Sequence, residues 1–201
     1  MIAGRRFAAA LWLAALPVVL PLLSTAAQAG LAEGRAKAQV CVACHGVDGN
    51  ASNPDMPSLA GQPRQFIVQA LFMFREGHRK NALMTPFAAQ LSNADLNDLA
   101  LYFSAQKMVP PTGSIDEARR AKAQQVSEQN NCVACHTPTL VGQQHIPRLA
   151  GQNKAYLLAQ LKAFKASTRA DLDGTMTSAA QGLSPDDIEL LADYLSTLAV
   201  P

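Results

Sequence analysis

Apolar side chains recur at helical spacing along most of the chain, and the same pattern occurs twice. After Gln62, hydrophobic residues fall three and four positions apart, and a matching stripe follows Gln152. This spacing predicts an amphipathic helix in each half. The two stripes comprise Phe66, Ile67, Ala70, Leu71 and Phe74, and then Tyr156, Leu157, Gln160, Leu161 and Phe164. Only Gln160 interrupts the pattern, and since alternating strand patterns are absent, the sequence predicts an all-α fold.

Two further helices are expected in each half. One leads into a pair of cysteines, starting at about Leu31 in the first half and at about Asp116 in the second, where Ala, Arg, Lys and Gln favour helix. The other closes the half and starts at Ser92 or Ser184. A serine hydroxyl accepts a free backbone N–H at a helix start, and the aspartate three residues later suits the positive end of the helix dipole.

The chain is a tandem duplication. Cys-Val-Ala-Cys-His begins at Cys41 and again at Cys132, and Leu-Ala-Gly-Gln begins at Leu59 and again at Leu149. Equivalent residues keep their order and a nearly constant offset, which is typical of two copies of one small domain. Prolines, a glycine and small polar residues interrupt any helix over 109–114. We therefore expect a first domain over 30–108, a linker over 109–114 and a second domain over 115–201.

The first 29 residues have the layout of an export signal. Arg5 and Arg6 precede an apolar run over 7–23, and Ala27-Gln28-Ala29 supplies the small residues that a signal peptidase accepts. We expect a signal peptide over 1–29, cleaved after Ala29. A retained membrane anchor is the alternative, although a run of about 17 residues is at the lower limit for crossing a bilayer.

Composition and charge narrow the function classes. Hydrophobic residues make up 49% of the chain and charged residues 16%, which is ordinary for a globular protein. The net charge of +2 includes the two arginines of the signal segment, so the mature chain is expected to be neutral. Nothing in this balance indicates binding to nucleic acid.

Both cysteine pairs have the spacing Cys-x-x-Cys-His, which is typical of covalent haem attachment. Cys41 and Cys44 are expected to bind the two vinyl groups of one haem c, and Cys132 and Cys135 those of a second. A four-thiolate zinc site and two disulfides are alternatives, but each leaves the adjacent histidines unexplained. A thioredoxin-type pair would need a βαβ setting, which the helical pattern does not provide.

The iron ligands follow from the repeat. His45 and His136 directly follow the cysteine pairs and are the expected proximal ligands. Methionine is the natural sixth ligand, and Met176 has Met84 as its partner in the repeat register; both are expected in loops that bend over the porphyrin. An iron with both axial positions filled exchanges electrons without binding substrate. The sequence therefore predicts an electron carrier and not an enzyme.

The remaining histidines and basic residues indicate a function less specifically than the haem motifs do. His78 and His145 have no partner in the repeat and are expected at the surface. Five basic residues are candidates to pair with haem propionates, although solvated surface charge explains them equally well. They are Arg64, Arg79, Arg148, Lys154 and Arg169.

These motifs, taken together and in order, resemble the di-haem cytochrome c4 family over essentially the whole mature chain. The shared features are the paired Cys-Val-Ala-Cys-His and Leu-Ala-Gly-Gln segments, a Met-Thr pair, and a closing helix that ends near Tyr102 or Tyr194. The resemblance implies two tandem class I cytochrome c domains joined by the short Pro/Gly linker, with both irons bound by His and Met.

The resemblance also implies a periplasmic role. Such a protein would carry electrons from a quinol-oxidising cytochrome bc complex towards a terminal oxidase, docking transiently with each, and peripheral association with the membrane is compatible with this role. One alternative is the haem subunit of a periplasmic dehydrogenase, such as a flavocytochrome that oxidises a sulfur compound. A di-haem peroxidase is a further alternative, which the two in-register methionines disfavour.

Overall fold

The computed structural model describes residues 22–200, and the side chains of residues 28–200. Within that range the protein has ten α-helices, two short 3-10 helices and no strand, apart from an isolated bridge between Gln143 and Ile146. The predicted all-α fold is confirmed. The predicted signal peptide falls mainly on residues 1–21, which lie outside the described part.

Five helices form the first domain, and their packing centres on the closing helix. They are α1 (Leu22–Lys37), α2 (Val42–His45), α3 (Arg64–Arg75), α4 (Met84–Ala88) and α5 (Asn93–Ser104). Helices α1 and α3 both pack on α5, burying Ile67, Leu99 and Phe103. Helix α1 begins at Leu22, earlier than the predicted start near Leu31, because the leucines and alanines of the preceding segment also favour helix.

The second domain repeats this arrangement. Its helices are α6 (Glu117–Gln129), α7 (Cys132–His136), α8 (Lys154–Lys165), α9 (Thr175–Gln181) and α10 (Pro185–Ser196). Helix α10 packs on α6 and α8 around Leu157, Ile188 and Leu191. The predicted start of α6 is confirmed, because the Asp116 side chain accepts a hydrogen bond from the backbone of the first turn.

The two closing helices begin where the sequence predicts. The Ser92 hydroxyl accepts from the backbone N–H of Asp95 at 3.2 Å, and the Asp95 carboxylate accepts from the N–H of Ser92 at 2.8 Å. Ser184 and Asp187 make the same reciprocal pair at the start of α10. Both starts are therefore capping boxes, in which two free backbone donors are satisfied.

Polar contacts fix α5 within the first domain. The Lys37 ammonium lies 2.7 Å from Asp95 and 2.6 Å from Asp98, which ties α1 to α5. The hydrogen bond from Lys37 lowers the pKa of Asp95 to about 2. At the other end of α5, the Tyr102 hydroxyl donates to Asp48 at 2.6 Å, in the loop that follows α2.

Reciprocal hydrogen bonds join the two domains. The Gln62 amide donates to the carbonyl of Arg148 at 3.1 Å and accepts from its N–H at 2.9 Å. The Gln152 amide bonds Ser58 in the same way, at 2.9 and 2.8 Å. Both glutamines are 3% exposed. Because Gln62 and Gln152 are repeat equivalents, as are Ser58 and Arg148, the interface has a local twofold symmetry of the kind found in homodimers.

Arg148 breaks that symmetry, since its equivalent is the short Ser58. Its side chain is 1% exposed and donates to the carbonyl of Ala60 at 3.0 Å and to that of Ala150, so it bonds both domains. Within residues 28–200 no carboxylate lies within 4 Å of it, and its Nε has no hydrogen-bond partner. Burial lowers the pKa of Arg148 to about 10.

The connection between the domains lacks regular secondary structure over residues 107–116. The predicted linker, 109–114, lies inside this segment, where the N–H of Val109 donates to the Asn50 side chain at 2.8 Å. The exact domain bounds remain predictions. Among the helices of the described residues, none has the length and apolar character needed to span a membrane.

Candidate functional site

Each Cys-x-x-Cys-His segment folds as a short helical turn beside a cavity. Cys41 and Cys132 are partly buried, whereas Cys44 and Cys135 are exposed. Burial raises the pKa of Cys41 and of Cys132.

Both histidines of these segments are held in one orientation. His45 and His136 are 5% and 3% exposed, and their Nδ1 atoms lie 2.8 Å from the carbonyl oxygens of Pro57 and Pro147. A carbonyl can only accept, so Nδ1 carries the proton and Nε2 keeps a free lone pair. Burial lowers the pKa of both rings despite these hydrogen bonds, which favours the neutral, metal-binding imidazole.

The proline carbonyls were not anticipated. The sequence contains the signal, because Pro57 and Pro147 occupy equivalent positions in the two copies and are separated from Leu-Ala-Gly-Gln by one residue. Their function depends on a backbone atom, however, and no residue type identifies a carbonyl acceptor. Only the folded loop brings each carbonyl to its histidine.

One continuous cavity of about 1340 Å³ contains both cysteine motifs. This exceeds the usual range for a single small-molecule site, which is about 300–1,000 Å³. Its lining includes His45, His136, Met84 and Met176, together with many apolar side chains from α3 and α8. The size of the cavity, its apolar wall and the histidine and methionine side chains in its lining fit two haem groups.

The two methionines are not in loops, and that prediction is wrong. Met84 is the first residue of α4, and Met176 is the second residue of α9. Side-chain acceptors start these short helices: Asn81 accepts from the N–H of Met84 at 2.9 Å, and Asp171 from that of Met176 at 2.7 Å. Such local bonds compensate for segments too short to form a helix by propensity alone.

The other methionines and histidines differ in whether they are buried or exposed. Met73 is buried on α3, as expected of a packing residue, although it also lines the cavity with Met56. His78 and His145 are exposed, as predicted. Throughout the described part of the chain, no three His, Cys, Asp or Glu side chains converge on a possible metal position.

The five basic candidates also divide into two groups. Arg64 and Lys154 are exposed at the starts of α3 and α8, and Lys154 forms an ion pair with Asp193. The other three, Arg79, Arg148 and Arg169, line the cavity. Only these three are placed to meet a group bound inside it.

Comparisons with known proteins agree with this geometry. The family model described as "Cytochrome c" matches residues 120–199, and "Cytochrome C oxidase, cbb3-type, subunit III" matches residues 29–103. Cytochrome c4 of Pseudomonas aeruginosa is 36% identical over 92% of this chain and 98% of its own. The solved structure of reduced recombinant cytochrome c4 from Pseudomonas stutzeri covers 84% of this chain and 98% of its own, with 33% identity and a TM-score of 0.77. A thiosulfate dehydrogenase electron acceptor of Thiomonas intermedia is 35% identical over 88% of this chain and 87% of its own.

Two helical domains, each with a Cys-x-x-Cys-His turn beside an apolar cavity, define a protein of the tandem c-type cytochrome class. It carries two covalently bound haem c groups and acts as a di-haem electron carrier. The chain belongs to the cytochrome c4 family.

Proposed function

We propose that each domain holds one haem through its own Cys-x-x-Cys-His turn and methionine. In the first domain, Cys41 and Cys44 form the thioether bonds, while His45 and Met84 bind the iron. The single observation that carries this assignment is that the buried, oriented histidine and the methionine line one apolar cavity. By the repeat register, the second haem takes Cys132 and Cys135 as thioethers and His136 and Met176 as iron ligands.

The bound haem supplies one-electron iron chemistry, and the polypeptide sets the conditions for it. The carbonyls of Pro57 and Pro147 hold each histidine ring through Nδ1 and leave Nε2 free, so that this nitrogen would be the one to bind iron. Met84 and Met176 would supply a methionine sulfur to each iron, a ligand that favours the reduced state and leaves no open position for a substrate. The apolar wall keeps water away and adds to the same preference.

The cellular role we propose is a periplasmic carrier that accepts electrons from a quinol-oxidising cytochrome bc complex and passes them to a terminal oxidase. The cytochrome c4 relatives and the export-signal layout of residues 1–29 support this proposal. A mature chain without net charge favours weak, transient docking with each partner. Peripheral association with the membrane is compatible with that role.

An optical redox titration of the purified protein tests the ligand assignment. We expect two covalent haems per chain and the far-red ferric band that reports methionine sulfur on iron. Met84→Ala and Met176→Ala should each remove about half of that band while leaving both haems attached. Met73→Ala is the control, because Met73 lies in the same cavity and should leave the band intact. A full band in either ligand variant would contradict the assignment.

A second candidate role is that of electron acceptor for a thiosulfate dehydrogenase, and the Thiomonas intermedia relative favours it. Stopped-flow reduction by a purified thiosulfate dehydrogenase with thiosulfate, compared with reduction by a quinol-oxidising bc complex, separates the two donors. The faster donor at equal concentration identifies the role. Turnover of hydrogen peroxide by the same preparation would instead favour a peroxidase.

A further inference from the structure

Gln160, the residue that interrupts the apolar stripe of α8, is the centre of a polar cluster between the domains. Its side-chain oxygen accepts from Arg79 at 2.9 Å and from Arg169 at 2.6 Å. Arg79 belongs to the first domain and also donates to the Tyr156 hydroxyl at 3.1 Å. Two guanidinium groups, one from each domain, therefore meet at a single neutral oxygen.

The two arginines are repeat equivalents and share their local setting. The guanidinium of Arg79 lies 4.5 Å from the ring centre of Phe74, and that of Arg169 lies 4.4 Å from the ring centre of Phe164. These phenylalanines are repeat equivalents as well. Stacking on a ring and bonding to Gln160 fix both cations in place.

Only the second domain supplies the polar partners. The residues of the first domain that correspond to Tyr156 and Gln160 are Phe66 and Ala70, which offer no side-chain acceptor. Arg169 accordingly makes no matching bond into the first domain among the described residues. The cluster is an asymmetric addition to an otherwise symmetric interface.

The positive charge of this cluster has no direct ion pair within the described residues, and Asp171 offsets only part of it at longer range. In the part of the chain that the structure describes, no carboxylate lies within 4 Å of either guanidinium, and the Nε of Arg169 is buried without a hydrogen-bond partner. Asp171 instead accepts from the backbone of α9. Burial lowers the pKa of Arg169 to about 10; Tyr156 opposes this effect, Arg79 adds to it, and Asp171 opposes it weakly. Holding two like charges together costs free energy unless an anion joins them.

We propose that Arg79 and Arg169, positioned by Tyr156 and Gln160, form a carboxylate-binding site between the domains and that its ligands are haem propionates. All four side chains line the cavity that contains both cysteine motifs. The inference rests on the proposed function, since the haems bring the carboxylates. Bidentate pairing suits the planar guanidinium, and the nearby positive charge favours the ferrous state, which carries one positive charge less than the ferric.

The test is a potentiometric titration of the holoprotein carrying Arg169→Gln. Losing this positive charge should lower the reduced-to-oxidised ratio of at least one haem about threefold at a fixed potential. At 59 mV per tenfold change for a one-electron couple, this equals a decrease of about 28 mV in its reduction potential. Arg169→Lys should recover most of that ratio because it keeps the charge. The matched control is Arg64→Gln, which removes an exposed arginine outside the cavity and should leave both potentials unchanged.

The Arg79→Gln variant shows whether Arg79 binds a propionate or only makes a structural contact between the domains. If Arg79 only joins the domains, this variant unfolds more easily while both potentials match those of Arg64→Gln, and that result overturns the proposal. The haem count and the far-red band are measured first on every variant. Two methionine-ligated haems with unshifted potentials refute this inference alone, whereas a wild-type protein without the band refutes the ligand assignment.

Discussion

The paired glutamines at the domain interface give a quantitative prediction. Replacing Gln62 by alanine removes two buried hydrogen bonds to the backbone of Arg148 and leaves that N–H and C=O without a partner. Gln152→Ala does the same to Ser58 and also removes an acceptor for the N–H of Asn153. Gln152 should therefore be at least as costly to remove as Gln62.

The magnitude follows from the bonds lost. A typical hydrogen bond contributes about 1 kcal/mol net, and leaving a buried polar group unsatisfied costs about 1–3 kcal/mol. Water that enters the gap recovers part of this loss. We expect each substitution to lower the free energy of unfolding by about 2–4 kcal/mol.

Guanidinium unfolding of the holoprotein, followed by far-ultraviolet circular dichroism and by haem absorbance, measures this change. Gln65→Ala is the control, since Gln65 is exposed on the neighbouring turn of α3 and should change stability by less than about 0.5 kcal/mol. If Gln62→Ala and Gln152→Ala both unfold at the same midpoint as Gln65→Ala, the glutamine bonds do not stabilise the interface.

Three further changes test individual contacts. Asp95→Asn should lower the melting temperature near pH 6, and the difference from the wild type should disappear as the pH falls from about 4 to 2. The reason is that the Asp95 carboxylate, whose pKa is lowered in the folded protein, stabilises the fold only while it is ionised. A difference that does not depend on pH would contradict this. Tyr102→Phe should lower the free energy of unfolding in denaturant by about 1 kcal/mol, because the variant loses a hydrogen bond to the Asp48 carboxylate. Tyr194→Phe, at the equivalent position, is the control and should lower it by less. Thr137→Gly should raise stability by about 1 kcal/mol, since Thr137 has φ 71° where its repeat equivalent is glycine. Thr139→Gly is the control for the added glycine, and a Thr137→Gly midpoint at or below that of the wild type would refute the strain.

Local rules predicted the long helices well. The apolar stripes placed α3 and α8, and the serine starts of α5 and α10 proved to be complete capping boxes. These signals lie within a few residues of one another, so the folded structure adds little to them. The two histidines that line the cavity were identified for a similar reason, because the cysteine motif contains its own histidine.

Contacts between residues that lie far apart in the sequence could not be predicted from the same local patterns. Gln62 and Gln152 could be recognised as part of a repeated motif, but their hydrogen bonds form only when one domain packs against the other. Gln160 was visible only as an exception to a stripe, and its arginine partners come from two different loops. The start of α4 depends on Asn81 as a side-chain acceptor, and that of α9 on Asp171 and Asp173, which propensity does not reveal in segments of five to seven residues.

The reciprocal glutamine bonds also bear on how such a protein can arise. Each half carries both the glutamine and the backbone groups that the other half's glutamine recognises, so an ancestral single domain would have been able to pair with its own copy. Joining the two copies in one polypeptide turns that pairing into an intramolecular event that no longer depends on protein concentration. Once the pairing was secured in this way, each copy was free to diverge, and a serine in one could become an arginine in the other without either losing its partner.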